Sequence, residues 1–179
     1  VLFFAAINGH AAWAKVLVDA NANINVKDRS GSTALHLAAM EGRATCVQTL
    51  IDAKADVDAI DLTGDTPLIR AAYSFHAGCM RALVDAKAQI NVINKDKTTA
   101  FYLAARDGCT VCSQMLLHAK ADLRIPYQRG NTALLLAALN GRAEWTQMLL
   151  DAKADVMDVN YDGQTALMLA SCAEKPHCL

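Results

Sequence analysis

The chain repeats itself every 33 residues, and this period constrains the fold more than any other feature. One threonine recurs in phase, at Thr33, Thr66, Thr99, Thr132 and Thr165. The segments that begin there are TALHLAA (33–39), TPLIRAA (66–72), TAFYLAA (99–105), TALLLAA (132–138) and TALMLAS (165–171). A second block recurs in the same phase, with copies such as IDAKADV (51–57) and LDAKADV (150–156). Five matches without an insertion predict a stack of equivalent structural units.

The pattern of one unit predicts two short helices and a loop. Thr33 can accept a hydrogen bond from the free amides of a first turn, so a first helix is predicted at about 33–41. Gly42 ends that helix, and a second helix is predicted at about 43–52, where apolar residues recur at helical spacing. Asp, Asn and Gly then indicate a projecting hairpin-like loop, as at 61–64. No unit covers its own apolar face, so each unit must pack against its neighbours.

Composition and charge narrow the range of functions. The formal net charge of −1 gives no general attraction to a phosphate backbone, so nucleic-acid binding is not expected. No apolar stretch approaches the roughly 18–20 residues of a membrane span, so direct membrane insertion is not expected either. Six cysteines in 179 residues do not form a dense disulfide framework. They favour reduced, buried thiols in a reducing intracellular compartment, either the cytoplasm or an organelle interior.

The repeat has a recognisable consensus, D-x-x-G-x-T-[AP]-L-x-x-A-A-x-x-G followed by V-x-x-L-[LI]-D-A-K-A-D, which covers essentially the whole chain. In this consensus the chain resembles the ankyrin repeat family. The resemblance implies an all-α solenoid of stacked antiparallel helix pairs with β-hairpin-like loops, forming a single domain at 1–179. It divides the chain into a partial repeat at 1–27, repeats at 28–60, 61–93, 94–126 and 127–159, and a partial repeat at 160–179. Both ends stop inside a repeat, which indicates either a longer array or covered ends.

The resemblance also implies a function, that of a non-catalytic scaffold binding a partner protein through a concave face. Carried across by position, that face includes five first-helix residues, Met40, Tyr73, Tyr102, Arg106 and Leu139. Its loop residues include Leu62, Lys95, Arg129 and Tyr161. The helix column is unexpectedly apolar for a solvated position, and such a stripe usually marks an interaction surface. The alternative is that these side chains only lean on neighbouring helices.

The segment 61–93 departs furthest from the consensus. Arg70 stands in the column of Leu37, Leu103, Leu136 and Leu169, and Phe75 replaces the glycine that ends the first helix. A charge at a buried position needs a partner or a route to water. Drift with local distortion explains the departure, and the alternative is a ligand site with Arg70 reaching into the concave face.

A second departure recurs in four repeats, where lysine replaces the family's glycine after the second helix. The four residues are Lys54, Lys87, Lys120 and Lys153. A left-handed backbone there costs a residue other than glycine about 1–2 kcal/mol. The lysines predict a solvated ladder neutralised by nearby aspartates, and the alternative is a basic strip for an acidic partner.

Cysteine chemistry is the remaining possibility for a site. Cys109 and Cys112 form a C-x-x-C motif, so a thiol redox pair or a metal site has to be considered. Cys112 shares its column with Cys46 and Cys79, where the family has an apolar core residue, and a small buried thiol fits there. Further metal ligands would have to come from Cys172, His177 or Cys178, two repeats away. We therefore expect no metal or cofactor at this motif, although a local redox pair stays open.

Catalysis is not expected, since no nucleophile, base and orienting acid recur in register. The leading hypothesis is a protein-binding scaffold. The second is a structural or linker subunit of a larger multiprotein assembly, in which the second helices would also make contacts.

Overall fold

A computed structural model of the protein describes residues 1–106 and 108–173. These residues form eleven α-helices and no strand. The helices are α1 (Leu2–Asn8), α2 (Ala11–Asp19), α3 (Ala34–Met40), α4 (Ala44–Asp52), α5 (Pro67–Tyr73), α6 (Ala77–Asp85), α7 (Ala100–Arg106), α8 (Thr110–His118), α9 (Ala133–Leu139), α10 (Ala143–Asp151) and α11 (Ala166–Ala173). A short 3₁₀ turn covers Gln128–Gly130. The predicted all-α array of helix pairs is confirmed.

From α3 onward, the first helix of each pair starts directly after the recurring threonine, whose hydroxyl caps it in every case except Thr132. The Oγ1 atom of Thr66 accepts a hydrogen bond from the amide of Ile69 at 3.3 Å, and Pro67 occupies the first helical position. Thr33 forms a reciprocal cap, because its backbone amide also donates to Nδ1 of His36 at 3.1 Å. These bonds satisfy amides that have no partner inside the helix, so the threonine column sets where each pair begins.

Both helices of a pair end in the same backbone motif. At the end of α3, Gly42 has a φ of 70°, and the amide of Arg43 donates to the carbonyl of Ala38 at 2.9 Å. After α5 the same left-handed position holds Phe75, with a φ of 55°. After the second helices it holds the four lysines, with φ between 64° and 66°, as the sequence predicted.

The helices form two layers that share one core. Odd-numbered helices lie beside one another in the first layer, and even-numbered helices from α2 to α8 do so in the second. Fully buried alanines such as Ala38 and Ala39 let the two layers approach closely. The column of Cys46, Cys79 and Cys112 also contains Trp13 and Trp145. This column is not buried along its whole length, since Trp145 packs inside while Trp13 is 63% exposed. Trp13 lies on α2, and no earlier helix pair among the described residues covers it.

The loops between pairs stack into a ladder of tight turns. Each turn is closed by one backbone bond, such as that from the amide of Asp61 to the carbonyl of Asp65 at 3.0 Å. Adjacent turns are also joined, since the amide of Leu62 donates to the carbonyl of Ser30 at 2.9 Å. An Asp or Asn side chain accepts amides inside four of the five turns, at Asp28, Asp61, Asn94 and Asn160. This bonding fixes the loops relative to the first helices.

Candidate protein-binding surface

The predicted helix column faces solvent along the first layer. Tyr73 is 36% exposed, Leu139 is 42% exposed and Arg106 is also exposed. Met40 is half-buried. The column therefore presents apolar and aromatic side chains, together with the cation of Arg106, at positions accessible to another molecule.

Aromatic contacts hold the centre of this column in place. The rings of Tyr102 and Tyr127 stack with their centroids 3.8 Å apart. The guanidinium of Arg106 lies 6.0 Å from the centroid of the Tyr102 ring, within cation–π range. The hydroxyl of Tyr73 accepts a hydrogen bond from Nδ2 of Asn94, in the next turn, at 3.4 Å. These contacts pre-position large side chains, so less conformational entropy would be lost on binding.

The predicted loop residues lie on the ladder of turns and are solvent-accessible. Leu62 is 63% exposed and Tyr161 is 79% exposed. Each contacts the turn before it, and a β-carbon on Gly130 would overlap the Tyr161 ring. Arg129 pairs with Asp162 at 2.8 Å, and Lys95 is exposed. The loops thus carry a mixed apolar and charged edge beside the helix column.

Two groups of residues at this edge were not predicted from the sequence. The first is an exposed apolar column immediately before the first residue of the last four turns, formed by Ile60, Ile93, Pro126 and Val159. Its signal was available, because the four residues recur at the 33-residue period. The second is Tyr127, which takes the place of the turn-forming Asp or Asn and whose ring stacks on Tyr102. Its irregular turn leaves Arg129 with a φ of 61°.

Arg70 pairs with two acidic side chains of its own turn. Its Nε atom donates to Oδ2 of Asp61 at 2.9 Å and lies 3.3 Å from Oδ2 of Asp65. Its side chain is 24% exposed, whereas those of Asp61 and Asp65 are buried. The column is less buried than expected, since Leu37 and Leu136 are half-exposed. A charged residue is therefore tolerated at position 70, because its guanidinium neutralises the carboxylates of Asp61 and Asp65.

The carboxyl of Asp61 shows the electrostatic result. Burial raises its pKa, but hydrogen bonds from the Thr63 hydroxyl, the Arg70 guanidinium and two backbone amides outweigh burial, so the pKa is lowered overall. The charged combination of Asp65 with Arg70 corresponds to neutral combinations in other turns. Where the Arg70 column holds leucine, the Asp65 column holds a neutral residue, as in Asn131 with Leu136.

The ankyrin-repeat profile matches the chain three times, at residues 1–61, 55–127 and 102–179. The chain belongs to the ankyrin repeat family. Ankyrin repeats generally mediate protein–protein interactions and are typically not enzymes. No individual curated protein sequence matches the chain. None of the helices described for this ankyrin array is long and apolar enough to cross a membrane.

The cysteines divide into one bonded pair, the local pair that the sequence left open, and free thiols. In this ankyrin array Cys109 and Cys112 form a disulfide, with their Cα atoms 5.3 Å apart. Cys112 and its column neighbours Cys46 and Cys79 belong to different repeats, whereas Cys109 and Cys112 lie within one helical turn. Cys46 and Cys79 are free and buried, and burial raises the pKa of the Cys79 thiol to about 11. His177 and Cys178 lie outside the described residues.

Acid, base and metal-ligand groups are dispersed in the part of the chain that the structure describes. No three side chains of His, Cys, Asp or Glu gather there in a group that could hold a metal ion. His36 is buried, and one of its ring nitrogens lies 3.0 Å from the carbonyl oxygen of Asp65. Burial lowers the pKa of His36, and the Asp65 carbonyl opposes that shift. His36 thus links α3 to the following turn.

An open cleft lies on the second-helix layer, away from the predicted residues. It runs between α6 and α8 and has a volume of about 650 Å³. Arg81, Asp85 and His118 line it together with Val111, which is strongly exposed. This open cleft gives the second layer a mixed polar and apolar surface of its own.

Proposed function

We propose that the chain is a non-catalytic interaction scaffold that binds a partner protein through its first-helix and loop surface. This recognition surface consists of Met40, Tyr73, Tyr102, Arg106, Leu139, Leu62, Lys95, Arg129 and Tyr161, extended by Ile60, Ile93 and Val159. Arg70 supports it by holding the 61–65 turn and makes no partner contact in this proposal.

The observation that carries the proposal is the stacked Tyr102–Tyr127 pair beside exposed Tyr73 and Arg106. Tyrosine and arginine are enriched among residues that dominate binding energy, and rigid aromatic side chains lose little entropy on binding. The exposed apolar column at Ile60 and Ile93 continues the surface along the loops. A partner that fills this surface would bury apolar area now in water, which favours association.

The test begins with affinity capture of the native protein and identification of its partner by mass spectrometry. Calorimetry would then compare the wild type with Tyr73→Ala and Ile93→Ala. We expect at least one of these changes to weaken binding about 10-fold or more, a loss of about 1.4 kcal/mol. Val111→Ala, an exposed apolar residue on the second layer, is the matched control and should leave the affinity within about 2-fold.

A second candidate function rests on the cleft between α6 and α8. There the chain would be a structural or linker subunit that uses its second helices to join a larger assembly. The same variants separate the two, because a partner in this cleft would respond to Val111→Ala and ignore Tyr73→Ala. Such a result would refute the recognition surface proposed above.

A further inference from the structure

The disulfide lies at the turn between α7 and α8, and its two sulfurs are in different environments. Cys109 is the residue that caps α8, and it is only partly buried. Cys112 lies three residues later, inside the first turn, and is fully buried. One cysteine of the pair is therefore partly accessible from solution while the other is held in the core.

We propose that Cys109 and Cys112 form a reversible thiol–disulfide couple that exchanges electrons with a small thiol of the glutathione class. The cap position supports this role, because the amide of Cys112 donates to Sγ of Cys109 at 3.4 Å. Unpaired amides and the helix dipole at this end of α8 stabilise negative charge on the Cys109 sulfur. The proposal goes beyond partner binding and does not depend on it.

Reduction would start at the accessible sulfur. A glutathione thiolate attacks Sγ of Cys109, forming a mixed disulfide there, and breaks the bond to Cys112. The Cys112 thiolate that leaves takes up the proton lost by the glutathione thiol. A second glutathione thiolate attacks the sulfur of the bound glutathione, which releases Cys109 as a thiol and glutathione disulfide as product. The reverse sequence, with glutathione disulfide as oxidant, restores the protein disulfide.

The other repeats supply internal comparisons. The column of Cys109 holds Arg43, His76 and Arg142, while that of Cys112 holds Cys46, Cys79 and Trp145. Among these repeats only 94–126 carries cysteine in both columns, and the cysteines without such a neighbour, Cys46 and Cys79, are free. The caps share one backbone conformation, with φ −78° and ψ 77° at His76 against −74° and 86° at Cys109. The pair therefore depends on its two side chains, since the backbone that holds them is common to the array.

The experiment equilibrates the full chain in glutathione buffers from fully reduced to fully oxidised, quenches with acid and labels thiols with a maleimide polymer. We expect the wild type to lose two labels on oxidation as a monomer and to recover both on reduction. Cys79→Ala, the matched control, should also lose two, whereas Cys109→Ala should lose none and Cys112→Ala at most one, because a lone Cys109 thiol can still form a mixed disulfide with glutathione. An unchanged wild-type count, a disulfide between chains, or a disulfide that glutathione does not reduce would overturn the proposal.

Two further measurements keep the test independent of how the variants fold. Trypsin releases residues 107–120 as one peptide from the wild type, and its mass should fall by two hydrogens on oxidation. His76→Cys should create a second pair with Cys79, so this variant should lose four labels where the wild type loses two. A peptide of unchanged mass would contradict the proposed Cys109–Cys112 couple. So would a His76→Cys variant that loses only two labels.

Discussion

Replacing Arg70 with leucine gives segment 61–93 the residue found in the same column at Leu103 and Leu136, and we nevertheless expect it to destabilise the protein. The change removes the cation that pairs with Asp61 and Asp65, whose carboxylates are buried within one turn. Both then remain charged without their counterion. Exchanging Asp65 for asparagine in the same molecule reproduces the Asn131–Leu136 combination of a later repeat.

The size of the effect follows from burial. Removing one partner of a buried ion pair costs about 3–5 kcal/mol, and the 24% exposure of Arg70 places the cost of Arg70→Leu lower, at about 2–3 kcal/mol. Asp65→Asn alone keeps the acceptor for Nδ2 of Asn94 and leaves Arg70 paired with Asp61, so it costs about 1 kcal/mol. The double variant removes one of the two unpaired carboxylates but still leaves buried Asp61 without a cation, so it should recover only part of the loss, a coupling of about 1 kcal/mol.

Urea unfolding followed by far-UV circular dichroism at pH 7 would measure all four proteins of this cycle. Arg124→Leu is the matched control, because its ion pair with Asp155 is largely exposed and should contribute about 0–1 kcal/mol. The lowered pKa of Asp61 adds a pH signature. The contribution of the Asp61 carboxylate to the free energy of unfolding is fully present above the unfolded pKa of about 3.9, and it is lost as the pH falls through the lower folded pKa. Additive single effects, or an Arg70→Leu protein as stable as the wild type, would refute the pairing.

Two further predictions concern stability. Because burial lowers the pKa of His36, the unfolded chain takes up a proton that the folded chain does not as the pH drops below about 6.5, so the free energy of unfolding should fall there. In His36→Leu this fall between pH 7.5 and 5.5 should be smaller, and equal slopes in urea titrations would contradict it. Lys87→Gly should raise the free energy of unfolding by about 0.5–1 kcal/mol by relieving a φ of 66°. Lys15→Gly, inside α2, should lower it by about 1 kcal/mol in the same assay.

The helices were predictable because each repeat carries the same signals at the same positions. The first and second helices expected at about 33–41 and 43–52 are Ala34–Met40 and Ala44–Asp52. Capping threonines and left-handed end residues act within a few positions of their own backbone, so a single sequence reveals them. Solvent exposure of the Tyr73 and Leu139 column also follows from register.

Contacts between residues in different columns of neighbouring repeats were harder to predict. Tyr102 and Tyr127 are 25 positions apart, and no column comparison places a first helix against the next turn. The loop column at Ile60 was hard to predict for a different reason, because it precedes the turn aspartate whereas the predicted loop residues follow it. Its exposure depends on how far the turns project, which a repeat consensus does not state.

Three departures from the consensus in this chain occur beside a matching residue, and this changes how an irregular repeat should be interpreted. Arg70 occurs with Asp65, Tyr127 with Tyr102, and Cys109 with Cys112. Taken column by column, each substitution resembles drift, because a single departure from a packed array costs stability. Taken together, each supplies the contact that makes its partner acceptable. Two of the three pairs lie within one repeat, where one unit can change without disturbing the stack, whereas the tyrosine pair joins two repeats at the centre of the proposed recognition surface.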